Sequence, residues 1–196
     1  VAGSVRIRRL PKARLIWKPL LAQATTRTSE DDMSIIRKQD FIDSIADALQ
    51  YISFYHPLDF VQAAKAAYDR EINPAAKDAL AQILINSRMA AEGHRPLCQD
   101  TGIVTCFVKV GMQVQWDGEM TVQEMVDAGT RRAYTHPDNP LRLSILADPA
   151  GKRLNTRDNT PAVVHIELVR GNTVEVLIAA KGGGSEAKPK VAMLNP

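Results

Sequence analysis

The sequence predicts an α+β fold in which N-terminal helices are followed by mainly antiparallel β-strands with one inserted helix. Apolar residues recur at helical spacing in three consecutive segments before residue 94. From Ile103 onward the pattern shortens to β-branched, strand-like runs, and a capping box at Thr121 marks one further helix among them. Helices gathered first and strands gathered later favour α+β over a doubly wound sheet, in which strand and helix would alternate.

Over residues 38–51, Phe41, Ile42, Ile45, Ala48 and Leu49 form one helical stripe, which His56-Pro57 ends. A second helix opens with Pro57 in its first turn and carries Leu58, Val61, Ala64 and Tyr68 on one face. Asn73-Pro74 repeats the start signal, and Leu80, Ile83, Leu84, Ser87 and Met89 lead a third helix to its stop at Gly93. All three stripes require partner surfaces. Residues 103–110 then read as a buried strand, Gly111 interrupts, and 112–116 alternate before the Asp117-Gly118 turn. Thr121-Val122-Gln123-Glu124 opens the inserted helix, with Val122, Met125, Val126 and Ala133 inward. A loop-rich stretch runs from His136-Pro137 to Thr160-Pro161. Strands over 162–169 and 173–180 follow, and the short Arg170-Gly171-Asn172 connection predicts that they pair as a hairpin.

The 196 residues carry a net charge of +3, which excludes a polycation. The charge is uneven: residues 1–32 hold seven basic against three acidic side chains, a net +4, leaving −1 for the remainder. This segment, 1–32, reads as a leader separate from the folded part, 33–196, because Met33-Ser34 stands just before the first periodic helix. Its Arg-rich, acid-poor composition fits an organellar transit peptide, an upstream extension or a basic arm for nucleic acid. The last lacks aromatic interleaving, and no nucleic-acid partner is expected. Two cysteines without repeating spacing point to a reducing, cytoplasmic setting rather than a disulfide framework. No apolar run reaches the length of a membrane span. The apolar start of a segment at 191–196 suggests a domain that continues further.

Two stretches carry the chemistry. In Arg95-Pro96-Leu97-Cys98-Gln99-Asp100-Thr101-Gly102 a cysteine sits in a Pro/Gly-bounded loop beside an amide, a carboxylate and a hydroxyl. Cys98 is there either a reactive or metal-binding thiolate or an inert loop thiol, and Asp100 is able to move a proton. Cys106, inside an apolar strand, reads as a small hydrophobe, and its distance from Cys98 matches no CxxC metal or redox signature. In Lys181-Gly182-Gly183-Gly184-Ser185 the glycines form either a flexible turn or an anion-binding nest of backbone N–H groups. This is neither a Walker loop nor a dinucleotide fingerprint. Arg142 is either a surface arginine or a fork for a carboxylate. Of the histidines, His56 and His136 precede prolines in boundary loops and read as structural or solvated, His165 as a strand surface residue, and His94 as a weak site candidate.

Four motifs occur here in an order that resembles the class I, iron–sulfur fumarate hydratases and the related tartrate dehydratase α subunits: Leu97-Cys98-Gln99-Asp100-Thr101-Gly102, Asn139-Pro140-Leu141-Arg142-Leu143-Ser144, Asn155-Thr156-Arg157-Asp158-Asn159-Thr160-Pro161-Ala162 and Lys181-Gly182-Gly183-Gly184-Ser185-Glu186. The resemblance runs from about Phe41 to Pro196. It implies a [4Fe–4S] cluster held by three cysteines, with one iron left open as a Lewis acid for adding water to fumarate. Cys98 matches the first ligand, Gln99 and Asp100 substrate-contacting positions, Asp100 a proton-transfer role, Arg142 a carboxylate partner, and Gly182, Gly183 and Gly184 a substrate loop. It implies a dicarboxylate substrate and a homodimer when full length. The family's other cluster cysteines lie downstream of anything present here, so this chain reads as the front part of such an enzyme. A two-subunit tartrate or fumarate dehydratase α subunit shares the same motifs. A non-catalytic binding module with a basic arm is the rival of another class; it predicts that Cys98→Ser leaves every activity intact.

Overall fold

In the computed structural model, which describes residues 4–8, 35–182 and 192–193, the sheet is assembled around one long strand. The elements in order are β1 (Ser4–Arg8), β2 (Ile35–Ile36), α1 (Lys38–Phe54), α2 (Leu58–Arg70), α3 (Pro74–Gly93), β3 (Ile103–Gly111), β4 (Gln115–Trp116), α4 (Val122–Tyr134), β5 (Val163–Val169) and β6 (Val174–Lys181). The main sheet has the order β1-β6-β3-β5. Two of its three pairings are antiparallel and β3 runs parallel to β5, so the fold is α+β as expected. A small parallel pair, β2 with β4, stands apart.

The expected hairpin is not formed. Strands β5 and β6 flank β3 instead of each other, Phe107 lying opposite His165 on one side and Leu177 on the other. The reason lies in the connection. With β3 between them the two strands stand about 10 Å apart, twice the usual strand spacing, and the four residues 170–173 reach about 13 Å. The end of β3 takes the hydrogen bonds that a hairpin would have closed: Gly111 N–H donates to Thr173 O (2.9 Å), Met112 N–H to Val169 O (2.9 Å) and Gln113 N–H to Gly171 O (2.9 Å). Gly171 adopts φ +106°, and a Cβ on Gly111 would collide with the Gly171 carbonyl, so both glycines serve this insertion.

Strand alternation decides what β3 buries. Val104, Cys106, Val108 and Val110 face the helices with Val176 and Ile178 of β6, each under one-tenth exposed. Helices α1 and α4 cover that face through Ile45, Leu49, Met125, Val126 and Tyr134, all essentially inaccessible. Truncating Ile45 or Leu49 to alanine would cost about 2–5 kcal/mol, the usual range for a fully buried aliphatic. The two helices approach closely because Gly129 has no side chain: a Cβ there would lie 2.7 Å from Ile45 Cβ and 2.8 Å from Ile42 O. Arg132 and Asp43 close the pair with an ion pair at the surface. Asp117 caps α1 from 79 residues away, its Oδ1 accepting from Lys38 N–H at 2.7 Å. The Thr121–Glu124 capping box forms as read, and Asn73 caps α3 ahead of Pro74.

Two expectations shift. The run 112–116 yields only the short β4. The stripe Leu58, Val61, Ala64 and Tyr68 meets α3 without being fully buried, since no residue of α2 falls in the buried class and α3 contributes only Ser87 and Ala90. Leu58, Ile72 and Met89 are more than half exposed. On the outer face of the sheet Ile103, Phe107, Val163 and Leu177 are likewise 40–44% exposed. Among the described residues no helix is long and apolar enough to cross a membrane.

Replacing Gly129 with valine is expected to lower stability by about 1–3 kcal/mol, the cost of overpacking a close helix contact. Urea unfolding followed by circular dichroism measures it, and an unchanged midpoint would show that α1 and α4 separate without cost.

Candidate functional site

Three loops converge where β3 begins, and one backbone crossing holds the first against the third. Gly102 sits at φ +83°, and a Cβ there would lie within 2.7–2.9 Å of the Lys181 backbone N, C and O atoms. Only glycine permits that approach. The crossing packs the loop 96–102 against the end of β6, where Asp100 Oδ2 stands 3.3 Å from the position a Gly182 Cβ would take. Asp100 Oδ1 accepts the Gly102 N–H at 3.1 Å, which fixes the carboxylate relative to the crossing. The two stretches joined only by chemistry in the sequence are therefore joined in space.

The second loop, 139–146, enters from the end of α4. Gln50 of α1 donates to Ala133 O (2.6 Å) and Asn139 O (3.1 Å), anchoring the loop's start. His136 Nδ1 lies 3.2 and 3.3 Å from the backbone nitrogens of Asp138 and Asn139, accepting from both, so this histidine is structural as expected. Further along, Arg142 O accepts the Thr101 hydroxyl at 3.0 Å and Leu143 O accepts the Asn155 amide at 2.8 Å.

Between these loops opens a cleft of about 380 Å³ lined by Cys98, Gln99, Thr101, Leu141 and Arg142, with Pro96 and Pro140 at its margin. Cys98 is exposed, and its thiol donates to Gln99 Oε1 at 3.2 Å. Arg142 is exposed, and among the described residues its guanidinium makes no hydrogen bond or ion pair, so it is available to an anion. Asp100 is half-buried beside the cleft, next to Gly182. Gly183 and Gly184 lie outside the described residues, as do Ser185 and Glu186. Cys98, Gln99 and Arg142 thus share one cavity wall, with Asp100 and Gly182 paired beside it.

Behind the cleft lie residues to which the sequence reading gave no role. Tyr134 is wholly buried and donates its hydroxyl to Thr101 O at 2.6 Å, with Gly102 O at 3.3 Å. Burial pushes its phenol up, the Thr101 hydrogen bond opposes this, and the Asp100 charge adds to it, so the group stays a protonated donor. Asn159, also fully buried, bonds at both ends of its amide to the loops on either side. The signal that was available is its place in the Asn155 to Ala162 motif; its burial and left-handed backbone are not readable from residue type. Asp158 pairs with Arg131 at 2.8 Å. Burial raises that carboxyl, but hydrogen bonds from the Thr160 hydroxyl and N–H, together with Arg131, outweigh it and hold the group below its usual range.

The two thiols differ in what they can bind. Burial pushes the Cys106 thiol up to about 12, so it remains neutral and behaves as the apolar residue its strand position suggested. Among the described residues no group of three or more His, Cys, Asp or Glu side chains stands ready to hold a metal. Among the described residues the donor set thus offers a metal or cluster one accessible thiol, Cys98.

Comparison with known proteins gives a consistent result. The family model described as fumarate hydratase (Fumerase) matches residues 42–196. The anaerobic class I fumarate hydratase of Escherichia coli K12 is 35% identical over 127 residues, covering 65% of this chain and 23% of the relative. The aerobic class I enzyme of the same strain is 31% identical over 169 residues, covering 85% and 28%. The L(+)-tartrate dehydratase subunit alpha of Escherichia coli UTI89 is 28% identical over 156 residues, covering 78% and 50%. The chain spans about a quarter to a half of the length of these curated relatives.

Cys98 should react with a thiol reagent such as a chromogenic disulfide in the folded chain, while Cys106 should react only after denaturation. Titration at pH 8 before and after adding guanidinium checks this. Two fast thiols in the native protein would show that β3 does not bury Cys106.

Proposed function

The chain belongs to the fumarate hydratase (Fumerase) family, and we propose that it forms the N-terminal part of an iron–sulfur hydro-lyase that reversibly adds water to fumarate to give malate. The observation that carries this reading is the Gly102 crossing over Lys181. It sets the carboxylate of Asp100 against Gly182, beside the cleft that Cys98, Gln99 and Arg142 line together. A four-carbon dicarboxylate needs a cationic fork at one end and N–H donors or a metal at the other; Arg142 in the cleft supports the first requirement.

In this reading Arg142 pairs with one substrate carboxylate through two parallel hydrogen bonds, and the Gln99 amide orients the substrate between the walls. The backbone N–H groups of Gly182, Gly183 and Gly184 hold the second carboxylate. Hydration forms a C–O bond at one alkene carbon and a C–H bond at the other. Asp100, oriented by the Gly102 N–H, holds the proton delivered to the second carbon and takes it back in the reverse direction. Cys98 is the ligand that this chain contributes to a [4Fe–4S] cluster. When bound, that cluster supplies Lewis acidity at its open iron toward the substrate hydroxyl and a carboxylate.

Residues 33–196 are in this view one portion of a larger catalytic domain and 1–32 a leader, although its stretch Ser4–Arg8 is not separate from the fold but pairs with β6 at the sheet edge. The apolar outer sheet face at Ile103, Phe107, Val163 and Leu177 supports this, since surfaces of that kind usually mark contact with further structure. The complete protein would be a cytoplasmic homodimer without nucleic-acid or membrane partners. A second reading, the α subunit of a two-subunit tartrate or fumarate dehydratase, is supported by the 28% identity to L(+)-tartrate dehydratase subunit alpha over 156 residues.

The test is malate formation from fumarate, followed by loss of absorbance in the ultraviolet under anaerobic conditions. In the complete enzyme Cys98→Ser should abolish activity together with the brown cluster absorbance. Asp100→Asn should lower kcat by about 10²–10⁴-fold, the usual weight of a proton-transfer group. Arg142→Ala should act mainly on KM, raising it on the order of 100-fold as a charged hydrogen-bond pair is lost. Activity of the isolated chain after iron and sulfide reconstitution would refute its being an incomplete portion, and dehydration of tartrate in preference to malate would favour the second reading.

A further inference from the structure

We infer that Asn159 is the positioning residue that keeps Arg142 in register with the Asp100–Gly102 turn, an inference that rests on the hydro-lyase reading of the same cleft. The loop carrying Arg142 lies outside the named strands and helices, and its backbone hydrogen bonds fall at its two ends, Leu141 N–H to Tyr134 O (3.1 Å) and Thr156 N–H to Ile145 O (3.0 Å), so side chains hold the positions between. Three consecutive backbone positions are held in this way. The Thr101 hydroxyl donates to Arg142 O at 3.0 Å, the Asn155 amide donates to Leu143 O at 2.8 Å, and Asn159 Oδ1 accepts from Ser144 N–H at 2.8 Å.

Asn159 alone among these uses both ends of one side chain to bridge the walls. Its Nδ2 donates to Gly102 O at 3.1 Å while its Oδ1 holds Ser144. Gly102 is the residue pinned against the Lys181 backbone, so it belongs to the least movable part of the site. Asn159 therefore ties the arginine loop to that fixed point. Residue type and conformation agree with this role. The side chain is fully buried, the backbone sits at φ +61°, which asparagine tolerates better than most residues, and an amide offers one donor and one acceptor.

Removing the bridge leaves Ser144 N–H without its partner and Gly102 O with only the longer Tyr134 contact. The Asn159 amide bonds to Ser144 N–H and Gly102 O and to neither Cys98 nor the Arg142 guanidinium. The consequence falls on where Arg142 stands, and so on binding of the carboxylate it serves.

The chemistry of an amide allows a sharp test. In Asn159→Asp the carboxylate still accepts from Ser144 N–H but presents a second acceptor to Gly102 O. Once protonated, it regains a donor. Buried among acceptors, the new carboxyl has its pKa raised, so its defect should shrink as pH falls from about 8 to about 6. The charged or titratable groups around it are Tyr134, Asp100 and the Asp158–Arg131 pair, with Arg142 on the tethered loop; all are present in both proteins. The ratio of variant to wild type at each pH therefore isolates residue 159.

The experiment is steady-state kinetics on the complete, cluster-loaded enzyme, together with hydrogen exchange of peptides covering 142–146 and 104–110. Asn159→Ala should raise KM for the dicarboxylate roughly tenfold with kcat changed much less, independently of pH, and should speed exchange at 142–146 while leaving 104–110 protected. Asn159→Asp should show the same KM defect at high pH and recover at low pH. Unchanged KM and unchanged exchange in both variants would overturn the inference, as would a defect in Asn159→Asp that ignores pH. If wild type hydrates no dicarboxylate, the hydro-lyase reading fails, and exchange at 142–146, which needs no turnover, still decides whether Asn159 tethers that loop.

Discussion

The crossing of Gly102 over the Lys181 backbone is the contact on which the arrangement of this molecule turns. A glycine at φ +83° with three backbone atoms inside 3 Å of its absent Cβ cannot be replaced without moving the start of β3 or the end of β6. Those two strands pair along their whole shared length, so a shift at the crossing would propagate into the register from Ile103–Lys181 to Val110–Val174. The site thus takes its rigidity from the sheet rather than from its loops. The sheet in turn is held by burial of Val104, Cys106, Val108 and Ile178 beneath α1 and α4.

The polar groups around this crossing form a graded set. Tyr134 and Asn159, fully buried, spend their hydrogen bonds on backbone atoms of the Thr101-Gly102 turn and of Ser144. Asp100, half-buried, accepts from the turn and lies against Gly182. Cys98 and Arg142 are exposed, and the Arg142 guanidinium has no partner among the described residues. Groups whose task is to hold position are buried and satisfied, as the cost of an unpaired buried polar atom requires. Groups available to a ligand face water.

Apolar surface is distributed just as unevenly. The inner sheet face and the α1–α4 contact are packed to the point where Gly129 must lack a side chain. The α2–α3 pair and the outer sheet face leave Ile72, Met89 and Phe107 substantially open. The matched segments make up 23%, 28% and 50% of the relatives this chain resembles. An open apolar face is compatible with the proposal that this chain is one portion of a larger protein.

By itself the sequence determined the α+β class, the helix starts at Asn73 and Thr121, the apolar role of Cys106, and the four ordered motifs that identify the family. These are properties of residue type at short range: capping side chains bond within three residues, and a strand's alternation is visible in eight. Only the tertiary structure decided that β5 and β6 are separated by β3, because strand partnership depends on which N–H groups reach the 170–173 carbonyls from sixty residues away. It also decided that α2 and α3 bury so little, which no helical stripe reveals, since periodicity says which face is apolar and not what covers it. Likewise the motifs named Cys98, Asp100, Arg142 and Gly182 as candidates. That Gly102 joins the first stretch to the last, and that Tyr134 and Asn159 support it, follows from long-range backbone contact, which leaves no mark on local sequence pattern.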